Sequence, residues 1–301
     1  MMKSKMLSVV VGTEECIAKC PFCVSCEPLR NERCRRELNM RNFNIALTYA
    51  ERAGVETMVI TSRGEPLLYP KEIDAYLCEN HLSNSRIPFV ELQTNGILFQ
   101  AGKNYELDRY LDGWYDFGLT HIALSTVSHI NSANAKNYLG SEDANYPDLA
   151  ETIKYLHGKG FSVRLVCIMC ENVDANDWYV NSDSQMLNYI YFAKEYGVEQ
   201  VTFRPVNEEF RRQDAHYWCE RHLLSDNKKD LLRKTLAHDG TVLQEIPRVG
   251  TVYDFKGQNV MFSVPLTKYT DNSDAESTRQ LIYFPDGHLK YEWEKEGAIL
   301  L

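Results

Sequence analysis

Up to about residue 205, apolar runs alternate with apolar positions at helical spacing. The run Leu7-Ser8-Val9-Val10-Val11 reads as a buried strand. Phe43, Ala46, Leu47 and Ala50 then recur on one helical face, and Gly54 ends that helix. Thr57-Met58-Val59-Ile60-Thr61 is a second strand, after which Pro70 suits the first position of a helix running through Asn80. The strand Phe89-Val90-Glu91-Leu92-Gln93-Thr94 leads through the turn Asn95-Gly96 to a helix around Leu107 to Trp114. His121 to Ser125, Pro147 to His157, Val163 to Ile168, Ser182 to Tyr196 and Gln200 to Arg204 continue as strand, helix, strand, helix and strand.

Parallel neighbours need crossover connections, so this alternation predicts an α/β fold, a partial (β/α)6 TIM-like barrel. Barrels of this kind carry their functional groups at the C-terminal ends of the strands. Two connections, Val127 to Asn145 and Val206 to Leu224, exceed ordinary lengths and are predicted to be substrate loops or lids. Beyond them the pattern changes. A helix from Asn227 to His238, capped by Ser225, precedes short β-like runs from Thr241 onward. Thr267 to Thr278 is polar and reads as a loop. Arg279 to Phe284 and Leu289 to Trp293 read as a hairpin on Pro285-Asp286-Gly287. The expected organisation is therefore a barrel core over 1–205 and a C-terminal β-rich extension over 206–301 that closes the open side of the barrel. No cysteine follows Cys219, so the hairpin is expected to carry no metal of its own.

Composition narrows the function. The 301 residues are 44% apolar and 25% charged, as in a globular protein. A net charge of −9 repels polyanions and argues against bulk nucleic-acid binding. The first apolar run is too short for a signal-peptide core or a membrane span, so the expected location is cytoplasmic, away from membranes. Nine cysteines without a secretory signal point to a metal or redox site rather than a disulfide framework. Arg30, Arg33, Arg35 and Arg36, and the pair Arg211-Arg212, read either as solvated faces or as recognition of a phosphate or carboxylate.

The chemistry concentrates in Cys16-Ile17-Ala18-Lys19-Cys20-Pro21-Phe22-Cys23, on the loop leaving the first strand. Thiolates bind soft metal centres, and an iron–sulfur cube ordinarily takes four of them. Three leave one iron open for a small chelating ligand, as a catalytic zinc keeps one open position. A structural zinc knot using Cys26 as fourth ligand, and inert reduced core thiols, are the competing readings.

The C-x3-C-x2-C spacing, with an aromatic before its last cysteine, resembles the radical SAM superfamily. The resemblance implies a [4Fe–4S] cluster on Cys16, Cys20 and Cys23 that chelates S-adenosyl-L-methionine (SAM). A one-electron reductant such as flavodoxin or ferredoxin drives SAM cleavage in that family, and the resulting 5′-deoxyadenosyl radical abstracts a substrate hydrogen. Ser62-Arg63-Gly64-Glu65-Pro66 resembles the family's Gly-Gly-Glu-Pro, which implies that Gly64 and Glu65 hold the amino group of SAM. Arg63 replaces the first glycine, and its role is open. By the same resemblance Asn95 closes the third strand at the site, and Ser125 bonds the ribose or carboxylate of SAM or is a solvated strand end. Arg164 and Arg204 sit on strands expected to be buried and need partners. For Arg164 these are the SAM carboxylate or an internal acid.

Cys167 and Cys170 read as core, because residues three apart on a strand face opposite ways. Cys219 and Tyr138, in the two long connections, read either as hydrogen-atom donors to a substrate radical or as inert packing. The expected substrate is a small anionic or nucleotide-like molecule. A peptide- or protein-modifying enzyme or activase is the alternative within the family, and a zinc-stabilised binding module is the alternative outside it.

Overall fold

Every central strand has two unlike faces, and this division builds the molecule. In the computed structural model, which describes residues 3–23, 37–99, 105–171, 180, 182–206, 213–246, 249–263, 278–293 and 296–301, the chain begins with β1 (Met6–Val11), α1 (Met40–Arg52), β2 (Thr57–Ser62) and α2 (Pro70–Leu82). It continues with β3 (Phe89–Thr94), α3 (Tyr105–Asp116), β4 (His121–Thr126), α4 (Asn131–Leu139), α5 (Leu149–Gly158) and β5 (Ser162–Met169). Then come α6 (Asp183–Glu195), β6 (Gln200–Pro205), α7 (Gln213–His222) and α8 (Asp226–Asp239). Five strands close the series: β7 (Thr241–Ile246), β8 (Gly250–Phe255), β9 (Gln258–Ser263), β10 (Leu281–Tyr283) and β11 (Leu289–Lys290).

Leu7, Val9, Met58, Ile60, Leu92, Ile122, Leu165 and Val201 lie in one hydrophobic cluster with helix residues such as Phe43, Leu77, Leu111, Ile153 and Ile190. Alternate strand residues face the other way, into a lumen that is largely polar: Ser8, Glu91, Gln93, Ser125, Arg164, Thr202 and Arg204. Several helices start on side-chain caps, Ser225 among them as expected. Asn39 accepts from the Asn42 N–H, Ser182 from Gln185 and Ser225 from Lys228. No helix is long and apolar enough to cross a membrane among the described residues.

The sheet has eleven strands in the order β11-β10-β1-β2-β3-β4-β5-β6-β9-β8-β7. Strands β1 to β6 run parallel in sequence order, as the alternation predicts. The barrel stays open. The segment after residue 205 lengthens the sheet at both edges. Strand β10 joins β1 in parallel and carries β11 as a short antiparallel partner. Strand β9 joins β6 in parallel and carries the antiparallel β8 and β7. The physical reason is the pair of bare edges that a six-stranded open sheet leaves, each a row of unpaired backbone groups.

The two long connections are not plain loops. The first contains α4, closed by Gly140, and the second contains α7. In α4 an apolar stripe is replaced by a buried amide. Asn134 accepts from the N–H groups of Val127 and Ser128 and donates to the Ser128 carbonyl, so a polar side chain holds the helix down.

Candidate active site

The loop leaving β1 is fastened before its cysteines begin. Gly12 takes φ 67°, and a Cβ there would stand 2.1 Å from the Tyr69 ring, so only glycine fits. Its N–H donates to Glu72 Oε2 at 2.8 Å. Next, Thr13 Oγ1 meets the Tyr69 hydroxyl at 2.5 Å. Residues 14 and 15 then cross the end of β2. The Glu65 N–H donates to the Glu15 carbonyl at 3.0 Å, Ser62 Oγ donates to the Thr13 carbonyl at 3.2 Å, and Arg63 pairs with Glu14 at 2.7 Å. Arg63 thus has a structural partner on the cysteine loop. A Cβ on Gly64 would lie 1.8 Å from the Glu15 carbonyl oxygen, so the crossing exists because residue 64 has no side chain.

Directly after this crossing come the three cysteines. Cys16 is exposed, and Cys20 and Cys23 are half-buried. The Ala18 N–H donates to Cys16 Sγ at 3.4 Å, Asn95 Nδ2 donates to the same sulfur at 3.8 Å, and the Cys23 N–H reaches the Cys20 carbonyl at 3.3 Å. Phe22 anchors the loop's far end against the rings of Tyr138 and Trp218, with centroids at 6.3 and 5.7 Å. The Lys19 N–H donates to the Tyr138 carbonyl at 2.8 Å. Tyr138 is therefore a fully buried support of the cysteine loop, stacked on Tyr146.

Glu65 is 1% exposed and ties three strand ends together. Its carboxylate accepts from Thr94 Oγ1 at 2.5 Å, the Asn95 N–H at 3.0 Å and the Leu67 N–H at 3.0 Å. Burial pushes its carboxyl up to about 6, against the opposing pull of those three donors. Of the four acceptor positions of a carboxylate, three are used, and the fourth is on Oε2. The Tyr146 hydroxyl donates to the Asn95 carbonyl at 3.4 Å. Cys16, Gly64, Glu65 and Asn95 thus form one connected set at the C-terminal ends of the strands.

The other expected site residues are placed differently. Ser125 is half-buried near the end of β4 and faces the lumen. Arg164 lies level with Ala123, one step below Ser125, where it pairs with Glu91, which also accepts from Gln93 Nε2 at 3.0 Å. The internal acid foreseen for it is Glu91. Cys219 is not on a loop. It is fully buried in α7 against Cys170 and Val206, and burial pushes its thiol up to about 12, so a surface position open to substrate is not what the fold provides. Cys167 and Cys170 are buried with thiols likewise pushed up, as core residues should be. Cys26, Cys34, Arg30 to Arg36 and Arg211-Arg212 lie outside the described residues. Among the described residues, no three His, Cys, Asp or Glu side chains converge as one metal ion requires. A cubane cluster spreads its thiolates over separate irons and makes no such demand.

Sequence reasoning missed Gly12, Tyr69, Glu72 and the Glu14–Arg63 pair. Only Gly12, immediately after an apolar run, leaves a trace in the sequence.

The open parallel barrel is a fold this chain shares with solved radical SAM enzymes. Among solved structures it resembles SuiB of Streptococcus suis bound to S-adenosylmethionine, at 15% identity and a TM-score of 0.61, covering 96% of this chain and 60% of that one. It also resembles anSMEcpe with bound AdoMet (14% identity, TM-score 0.58, 98% and 77% covered) and methylornithine synthase PylB (14%, 0.53, 92% and 79%). The chain spans about 60% of the length of SuiB. No family model and no curated protein sequence matches it.

Proposed function

We propose that the protein is a radical SAM enzyme whose chemistry resides in residues 1–205, with residues 206–301 completing the wall of the lumen. One observation carries the reading. The contact of Gly64 with the Glu15 carbonyl locks the cysteine loop against the Gly-Glu-Pro turn, and Asn95 reaches from the third strand end to Cys16 Sγ. Residues that fit the implied groups are thereby gathered from three strand ends.

Cys16, Cys20 and Cys23 would hold a [4Fe–4S] cluster, leaving one iron for SAM. When bound, these groups supply a single electron and a 5′-deoxyadenosyl radical capable of removing a substrate hydrogen. The chain's own residues bind and shield. The open acceptor position on Glu65 Oε2 suits an ammonium. The Asn95 amide donates to Cys16 Sγ, the kind of outer hydrogen bond that orients a ligating sulfur. Tyr138, Tyr146 and Phe22 form an apolar floor that keeps water from beneath the loop. Cys16, being exposed, gives a protein reductant such as flavodoxin or ferredoxin an approach. We read the substrate as a small anionic or nucleotide-like molecule. Peptide modification is the second reading, because SuiB, a fold neighbour, was solved with its precursor peptide SuiA.

The test is anaerobic reconstitution with iron, sulfide, SAM and dithionite. About four irons per chain and release of 5′-deoxyadenosine are expected. Cys16→Ala, Cys20→Ala and Cys23→Ala should each abolish both. A colourless protein with stoichiometric zinc would refute the reading and return the chain to the zinc-binding class.

A further inference from the structure

The lumen-facing side of β6 carries polar groups that nothing in the sheet satisfies. Thr202 is 1% exposed, and its hydroxyl has no hydrogen-bond partner among the described residues. Two residues along the same face, Arg204 has a buried Nε that is also without one. Arg204 stands level with Ile168 of β5, and Ile168 packs against the same two buried clusters as Phe22 of the cysteine loop. The pair therefore lies toward the C-terminal end of β6, the end of the sheet from which the cysteine loop also leaves β1.

Charge sharpens the point. Arg164 occupies the same lumen, and its one carboxylate, Glu91, is already bound to it. Arg279, at the approach to β10, adds another positive neighbour. Burial, together with Arg164 and Arg279, pulls the Arg204 guanidinium down to about 10, Glu91 opposing. Among these four groups the lumen holds three cations and one anion. A buried guanidinium N–H with no partner, beside like charges, is costly, and a fold retains one where something else completes it. A guanidinium fork and an adjacent hydroxyl match the planar or tetrahedral oxygens of a carboxylate or phosphate.

We infer that Arg204 and Thr202, with Arg164 behind them, form an anion subsite at the lumen mouth that anchors a carboxylate or phosphate of the substrate. The inference rests on the enzyme reading only in calling that anion part of a substrate. Binding itself is read without turnover.

The experiment uses the reconstituted full chain and Arg204→Gln, following thermal unfolding in inorganic phosphate, in succinate, and in chloride matched for ionic strength. Wild-type protein should be stabilised saturably by phosphate or succinate beyond chloride, and the stronger of the two identifies the anion class. Arg204→Gln should weaken that response by about tenfold or more, the scale of a lost charge-assisted pair. Its melting temperature without added anion should stay level or rise, because a like charge has been removed. Thr202→Val should weaken the response less. SAM affinity, measured separately, should change by less than about twofold on this picture, since the subsite belongs to the substrate. Equal stabilisation of the wild type by all three salts would overturn the inference. So would an undiminished response in Arg204→Gln, a lowered melting temperature in anion-free buffer, or a loss of SAM affinity, which would assign the arginine to SAM. If Arg204→Gln does not fold, Arg204→Lys replaces it: it keeps the charge without the fork, so a reduced response supports the subsite and a full one refutes it. Failure of SAM cleavage would sink the enzyme reading while leaving these anion measurements intact.

Discussion

Gly64→Ala isolates the contact that positions the cysteine loop. The added Cβ would meet the Glu15 carbonyl oxygen at 1.8 Å and the Glu15 and Glu14 carbonyl carbons at 2.5 and 2.9 Å. All three atoms are backbone, so no side chain can swing aside. Restoring ordinary contact requires the loop to retreat by about 1.5 Å. Gly64 does not need a left-handed conformation, so alanine adds no backbone strain and the cost is steric. Overpacking of this kind costs about 1–3 kcal/mol. The retreat also breaks the Glu65 N–H to Glu15 hydrogen bond, about 1 kcal/mol more. A penalty of about 2–4 kcal/mol shifts the docked position of the loop by roughly thirtyfold to nearly a thousandfold. Cys16 follows Glu15 directly and moves with it. None of residues 12–23 belongs to the main hydrophobic cluster among the described residues, so global unfolding should change little. The measurement is iron per chain and SAM affinity after anaerobic reconstitution. Gly113→Ala is the control: a Cβ there meets nothing within 4 Å inside α3, and alanine should stabilise that helix by about 1 kcal/mol. Gly64→Ala protein with wild-type iron content and SAM affinity would refute the reasoning.

Three further outcomes follow from the same set of contacts. The Glu65 carboxyl is raised from 4.5 to about 6, so the folded state holds its proton more tightly than the unfolded chain. Its stabilisation is full below pH 4.5 and is lost, to about 2 kcal/mol, as pH rises through about 6. Melting temperature should therefore fall across that window relative to Glu65→Gln, and parallel curves would contradict it. Glu91→Gln leaves Arg164 unpaired near Arg204 and should destabilise by about 2–4 kcal/mol in urea titrations. The double change Glu91→Gln, Arg164→Met should recover at least half of that loss, and simple additivity would show that the pair is not the cause. Cys219→Ala should cost about 1–2 kcal/mol of stability from the buried cluster around Cys170 while leaving iron content and 5′-deoxyadenosine release unchanged. Lost activity at full iron would reinstate Cys219 as a hydrogen donor.

Much of the barrel was legible because its strands have unlike faces. Alternation in β3, β4 and β6 marks helix-facing and lumen-facing positions, and the spacing of the three cysteines carries the expectation of a metal site on the loop after β1. Both are local properties, written in neighbours along the chain. The helix α4 escaped because the amide of Asn134 holds it rather than an apolar stripe, and hydropathy cannot report a hydrogen bond.

The sequence by itself determined the order of strands and helices in the barrel, the end of the sheet where chemistry gathers, and the ligand type offered there. Tertiary structure alone decided which charges meet: Arg164 with Glu91 and Arg63 with Glu14, while the Arg204 Nε finds no partner among the described residues. It also decided that the last strands extend both edges of the sheet. Pairings of this kind depend on proximity between residues up to hundreds of positions apart, and a local pattern carries no record of that distance. Gly64 shows the boundary between the two. The sequence announces a glycine before Glu-Pro, but only the fold reveals that the missing side chain makes room for the Glu15 carbonyl.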